Sequence, residues 1–210
     1  MAIRRTPFIN GKFYHIYNRG VDKRNIFEDY EDLERFFESM REFNTVEPIG
    51  SLFEKSFNDP IAKNKKNKPL VNFIAFCLNK NHYHFILEQV IDNGISEFMK
   101  RLGGYTWYFN NKHGRSGSLF QGTFKSIHID SNEYLLHLSV YVNLNNKIHK
   151  LGGLTAKSSW EEYTSEYNDS FCKKDIILGQ FKDSSEYKQF AESSLESIRE
   201  RKEMEKFLLE

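Results

Sequence analysis

The residues best placed to do chemistry are His82 and His84, separated by Tyr83 in a stretch, His82 to Gln89, that reads as a strand. Alternate residues of a strand share a face, so both imidazoles project to one side and Tyr83 to the other. Two imidazoles on one face can grip a divalent cation through bonds of roughly 2.0–2.2 Å. Two polar residues on an exposed sheet face would show the same spacing. A second group follows Asp130, where Tyr134, His137 (or Leu138), Tyr141 and Asn145 recur every three or four residues and so line one stripe of a predicted helix. Tyr141 carries a hydroxyl nucleophile, and Asn145, one turn on, an amide oxygen suited to be a third ligand of Mg²⁺ or Mn²⁺. A packed aromatic with its hydroxyl satisfied is the plainer reading of Tyr141. A third segment, Tyr105 to Lys125, alternates Lys112, Arg115 and Lys125 with Tyr105, Trp107, Tyr108, Phe109, Phe120 and Phe124. Unpaired bases stack on aromatic rings and phosphates pair with cationic side chains, so this interleaving suits single-stranded nucleic acid. An aromatic-rich helix packed on a sheet accounts for most of the same rings.

These groups need a frame. Phe13 to Asn18 alternates as a first strand, and apolar residues from Ile26 to Met40 recur at helical spacing within 25–44. The stretch 45–69, with Pro48, Gly50, Pro60 and Pro69, reads as a connection. Two strands, Leu70 to Leu78 and His82 to Gln89, flank a tight Asn79-Lys80-Asn81 turn. A helix is predicted over Ile95 to Asn111, a strand over about Leu119 to Ile129, and a helix from Asp130 or Ser131 as N-cap to about Asn146. The order β-α-β-β-α-β-α predicts an α+β fold, an antiparallel sheet with packed helices. Residues 1–157 form the expected main domain. Residues 158–210 form a helical C-terminal extension packed on it, ending in a charged helix from Ser184 to Leu209 whose Tyr187, Phe190, Leu195, Ile198 and Phe207 dock on the body.

The chain's 210 residues suffice for one domain with an appendage. Its 30 basic and 29 acidic residues leave a net charge of +1, unevenly spread. Residues 1–157 hold 22 basic against 16 acidic, a balance of +6, whereas 158–210 hold 8 against 13, a balance of −5. A basic body fits a polyanionic partner, although the solvated run Lys63 to Lys68 contributes to the same count. The longest apolar run, Val71 to Leu78 broken by Asn72, falls far short of the ~20 residues of a membrane helix. Arg4-Arg5 leads into Thr6-Pro7 with no apolar stretch behind it, so no signal peptide is expected. Cys77 and Cys172 lack metal spacing and suit a reducing cytoplasm. Membrane, secreted, collagen-like and disulfide-framework classes are thereby excluded.

The order of these pieces resembles the REP-associated tyrosine transposases, a branch of the single-tyrosine HUH transposases. The resemblance is carried by Tyr14-His15-Ile16-Tyr17-Asn18-Arg19-Gly20 with Asn25-Ile26-Phe27, and by Asn81-His82-Tyr83-His84-Phe85-Ile86-Leu87. It continues through Tyr108-Phe109-Asn110, His113 to Gly117, Leu119-Phe120-Gln121-Gly122, Phe124-Lys125-Ser126, and Glu133 to Leu136 with Tyr141 to Asn145. Ile176 to Phe181 with Tyr187 and Phe190 extends it toward the C-terminus. Departures are Tyr83 where an aliphatic residue is commoner, Lys80 where relatives often carry Pro, and Asn146 in place of a frequent Pro. The resemblance implies a ferredoxin-like HUH nuclease fold acting on single-stranded or hairpin DNA. It implies His82, His84 and Asn145 as ligands of Mg²⁺ or Mn²⁺, Tyr141 as nucleophile, and Arg19, Lys112, Arg115, Phe120, Gln121 and Lys125 as DNA-binding residues. The implied activity is that of a metal-dependent endonuclease and strand-transferase forming a 5′-phosphotyrosine. The lack of a Gly-rich phosphate loop agrees with chemistry that needs no nucleotide. Two alternatives stay open: a hairpin-binding protein without turnover, and a His-pair phosphoesterase using water. Homodimer and monomer are both compatible with the family.

Overall fold

The computed structural model describes residues 7–50, 52, 68–148, 153, 156–165 and 170–207. Strands β1 (Phe13–Arg19), β2 (Val71–Asn79), β3 (His82–Gln89), β4 (Lys125–Ile129) and β5 (Lys157–Ser158) form one sheet in the order β4-β1-β3-β2-β5. Every pairing is antiparallel. The arrangement is α+β, with a βαββαβ core in which β1 and β3 are central.

Helices before β4 and helices after it cover opposite faces. On the first face lie α1 (Tyr30–Glu42), α2 (Gly94–Leu102) and α3 (Tyr105–Lys112), packed on Tyr14, Ile16, Phe73, Phe76, Tyr83 and Phe85. On the second lie α4 (Asn132–Asn143), α5 (Asn145–Ile148), α6 (Trp160–Thr164), α7 (Asp175–Leu178) and α8 (Ser184–Phe207), over Ile74, Ala75, Cys77 and Ile86. All nine residues of β2 are buried, as expected of a strand covered on both sides. A register shift between Phe73 and Ala75 places both Ile74 and Ala75 on the second face, and returns Phe76 to the first.

Several boundaries differ from the sequence reading. The helix predicted over Ile95 to Asn111 is two helices, broken at Gly103-Gly104 where the chain changes direction. The strand predicted from Leu119 begins only at Lys125; before it, Phe120 makes a single bridge to Gly20. A side chain at Gly20 would place its Cβ 2.0 Å from Arg24 O, so only glycine fits this corner. The first helix starts at Tyr30, because Asp29 Oδ1 accepts from Asp32 N at 2.9 Å and caps it. The helix after β4 is capped by Ser131, whose hydroxyl accepts from Tyr134 N at 3.2 Å. It ends at Asn143, and Asn145 starts a separate short turn. Most of the connection predicted over 45–69 lies outside the described residues.

The C-terminal segment lies along the free edge of β2. Lys157 and Ser158 pair with Leu78 and Cys77, Ser159 N donates to Phe76 O (2.9 Å) and Lys173 N to Phe73 O (2.8 Å). Such cover removes an exposed sheet edge. Tyr187 and Leu195 of α8 are buried in the second-face core, with Phe190 packed against it. Phe171 and Cys172 instead reach the first-face core. The side chain of Phe207 lies outside the described part.

Candidate active site

His82 and His84 both project onto the second face of β3, their ring centroids 5.2 Å apart. Each Nδ1 is already engaged. His82 Nδ1 lies 2.6 Å from Asn81 Oδ1, and Asn81 is fixed in that orientation because its Nδ2 donates to Lys23 O. An amide oxygen only accepts, so His82 carries its proton on Nδ1 and presents a lone pair at Nε2. His84 Nδ1 lies 2.9 Å from His15 Nε2.

Asn145 closes on this pair from the helical layer. Its side chain is fully buried, with Oδ1 3.0 Å from His82 Nε2 and accepting from Asn79 Nδ2 at 2.8 Å. Asn79 Nδ2 also lies 3.0 Å from His82 Nε2. Two lone-pair atoms, Nε2 and Oδ1, thus face each other and share one amide as donor. These are the two atoms that would hold a divalent cation together with the His84 ring. The Asn145 side chain also lies beside the Tyr141 hydroxyl, to which it is coupled by a side-chain hydrogen bond. This donor set of two imidazoles and an amide oxygen fits a divalent ion such as Mn²⁺ or Mg²⁺.

Tyr141, one turn before Asn145, turns its ring edge-on to His84, with centroids 5.6 Å apart. Burial raises its hydroxyl above the ordinary phenol range, while the adjacent Asn145 side chain acts in the opposite direction. The hydroxyl therefore rests protonated. His15, absent from the site residues expected from sequence, completes the group. It is 6% exposed, stacks on Tyr17 with centroids 4.8 Å apart, and burial pushes its pKa from 6.5 down to about 4, so its ring is neutral. The sequence signal was available: His15 and Tyr17 alternate on β1 as His82 and His84 do on β3, and Tyr17 is paired with His84.

An open cleft of about 440 Å³ leads to the imidazoles, lined by Tyr17, Asn18, Arg19, Asn81, Gln121 and Lys125 besides the two histidines. Backbone bonds Gln121 N to Arg19 O (2.8 Å) and Gly20 N to Asn81 O (2.8 Å) pin three chain segments together at its rim. Of the six residues expected to bind DNA, the structure brings Arg19, Gln121 and Lys125 here and leaves three elsewhere. Lys112 sits on the first face, with Nζ 2.9 Å from Asp29 and Glu31 and 3.0 Å from Asp32. Arg115 lies over the Phe109 ring at 5.5 Å, and the Phe120 ring meets Tyr83 edge-on at 5.7 Å. Both of these rings belong to or pack against the first-face core. Interleaved basic and aromatic residues in sequence are here divided between the two sides of a sheet.

Asp29, Asp32 and His113 also come together with metal-like spacing. Their cluster already holds a cation, the Lys112 ammonium. Burial works against that charge, but hydrogen bonds to Asp29, Glu31 and Asp32 more than reverse it and hold the lysine pKa above its usual value. Through Asp29 this cluster also caps α1.

No family model and no curated protein matches this chain. Among solved structures, that of a REP-associated tyrosine transposase bound to a REP hairpin is similar at 13% identity, covering 81% of this chain and 90% of that one with a TM-score of 0.47. No helix among the described residues is long and apolar enough to cross a membrane.

Proposed function

We propose that the chain is a metal-dependent single-stranded DNA endonuclease and strand-transferase, with Tyr141 as nucleophile and His82, His84 and Asn145 as the cation's ligands. The observation that carries this reading is the convergence of Tyr141 and the buried Asn145 on the histidine pair at the end of an open cleft. The sequence resemblance supplies the substrate class, DNA beside hairpins.

A divalent ion in this donor set would withdraw charge from a scissile phosphate. The chain's own residues do the rest. Arg19 and Lys125 at the cleft rim pair with backbone phosphates and set the strand's path. Tyr141 Oη attacks phosphorus, forming the Tyr–O–P bond as the P–O3′ bond breaks. The tyrosine loses a proton and the departing 3′ oxygen gains one, so a free 3′-hydroxyl and a 5′-phosphotyrosine result. Attack by another 3′-hydroxyl reverses these bonds and rejoins DNA without ATP. The cleft, open and 440 Å³ in volume, suits an extended strand more than an enclosed small nucleotide.

The test is incubation with 5′- and 3′-labelled single-stranded hairpin DNA cut from the gene's own flanks, with Mn²⁺ or Mg²⁺, resolved on denaturing protein gels. The expected result is label retained on wild-type protein and lost in Tyr141→Phe and in His82→Ala/His84→Ala. Cleavage without an adduct would assign the nucleophile to water. Binding without cleavage in any metal would leave a hairpin-binding protein.

A further inference from the structure

The two histidines of the pair are held in unequal ways. His82 is oriented from its own hairpin by Asn81. His84 is oriented across the sheet, from β1, by the 2.9 Å contact between its Nδ1 and His15 Nε2. The two rings lie nearly parallel, with centroids 5.1 Å apart and planes at 20°, and His15 also meets the Tyr141 ring edge-on at 6.5 Å. His15 therefore touches both the ligand strand and the nucleophile's ring.

From this geometry we infer that His15 is the positioning residue for His84: its Nε2 accepts the His84 Nδ1 proton and so commits His84 Nε2 to the cation. A neutral imidazole has one N–H and one lone pair, so a hydrogen bond between two such rings fixes both tautomers together. Coordination through His84 Nε2 requires the proton at Nδ1, which makes His15 the acceptor and places its own proton on Nδ1. A carbonyl or carboxylate commonly fills this outer role, and its loss typically weakens metal binding by roughly 10–100-fold. An imidazole in that place accepts without adding negative charge beside a scissile phosphate. It also cannot rotate freely, being stacked on Tyr17.

The inference rests on the reading of His82, His84 and Asn145 as a cation site, and its test separates the two. Mn²⁺ binding to full-length protein is measured by titration of the free-ion EPR signal for wild type, His15→Gln and His15→Phe, beside the tautomeric state of His84 from its ring ¹⁵N shifts. Glutamine returns an acceptor oxygen near the position of Nε2; phenylalanine fills the space and accepts nothing. The expected result is an Mn²⁺ Kd weakened roughly 10–100-fold in His15→Phe and largely restored in His15→Gln, with His84 protonated on Nδ1 in wild type. Equal Mn²⁺ affinity in wild type and His15→Phe would overturn the role of His15 and leave the cation site standing. A wild type that binds no Mn²⁺ would overturn the site itself, and the ¹⁵N shifts would then still decide the hydrogen bond's direction: a proton on His84 Nε2 refutes the inference. If His15→Phe fails to fold, His15→Gln and the wild-type shifts carry the same decision.

Discussion

Each face of the sheet gathers a histidine among close polar neighbours, and the two gatherings handle charge in opposite ways. On the first face, Asp29, Glu31 and Asp32 surround the Lys112 ammonium, with His113 bonded to Asp32 beside it, so the cluster is closed with a cation from the chain itself. On the second, His15 Nε2 meets His84 Nδ1, and His82 Nε2 and Asn145 Oδ1 meet beside the Asn79 amide, so neutral imidazole and amide groups face one another. Ligand spacing alone therefore does not identify a metal site. On the first face the fold has already supplied a positive charge, the Lys112 ammonium.

The largest effect that would sharpen this contrast is on chemistry. Tyr141→Phe should reduce covalent DNA adduct on the order of 10³-fold or more, read on denaturing gels, while Lys112→Met leaves adduct formation per folded molecule unchanged. Adduct loss in a folded Lys112→Met protein would place the first face in DNA handling and break the comparison. Next comes stability. Asp32 is fully buried and would keep only His113 and the Glu28 N–H, so Lys112→Met should cost about 2–4 kcal/mol in urea unfolding by removing the ammonium from that carboxylate. Added Mn²⁺ should not restore it; rescue by Mn²⁺ would mean that the acidic cluster is a cation site after all.

A somewhat smaller effect is expected from pH. His15 has its folded pKa lowered from 6.5 to about 4, so the unfolded chain binds the extra proton more readily. Stability should then be full above about pH 6.5 and fall as pH drops from there toward 4, by about 2–3 kcal/mol. His15→Gln should flatten that slope in denaturant titrations at pH 7 and pH 4.5; an unchanged slope would assign it to other groups. The smallest effects separate how the helices are held. Tyr187 Oη accepts from Asn143 Nδ2 at 2.9 Å and pairs with Ser139 Oγ at 3.1 Å, so Tyr187→Phe removes a partner from buried polar groups on α4 and should cost about 1–2 kcal/mol. Tyr105 donates a single bond to Ile26 O, and Tyr105→Phe should cost about 1 kcal/mol. Thermal unfolding of the two variants ranks them.

Much of this was legible in residue patterns because it depends on strict periods. Alternation on β3 put His82 and His84 on one face, and helical spacing put Tyr141 within the helix after β4, although that helix ends at Asn143 and Asn145 opens a separate turn. The positions that went astray depend on tertiary contacts. Lys112 reads as a nucleic-acid contact in sequence, and only the fold shows three carboxylates of the α1 N-terminus around it. The Leu119 strand was overextended because alternation persists through a loop that is held by bonds to Arg19 and Asn18 rather than by a ladder. The helix over Ile95 to Asn111 kept its apolar period across Gly103-Gly104, since both halves pack on one core. His15 was overlooked because its partner is 69 residues away and no local period joins them.

The C-terminal segment's path along the edge of β2 has a use of its own. It sends Cys172 into the first-face core, while Cys77 on β2 faces the second-face core. Burial raises both thiols, Cys77 to about 12, so neither reacts until its own layer parts from the sheet. The chain thus carries one latent chemical clock per layer. The two alkylation rates, followed by mass spectrometry under native conditions, time the opening of each layer separately, and a ligand that tightens the second face should slow the clock at Cys77 before the one at Cys172.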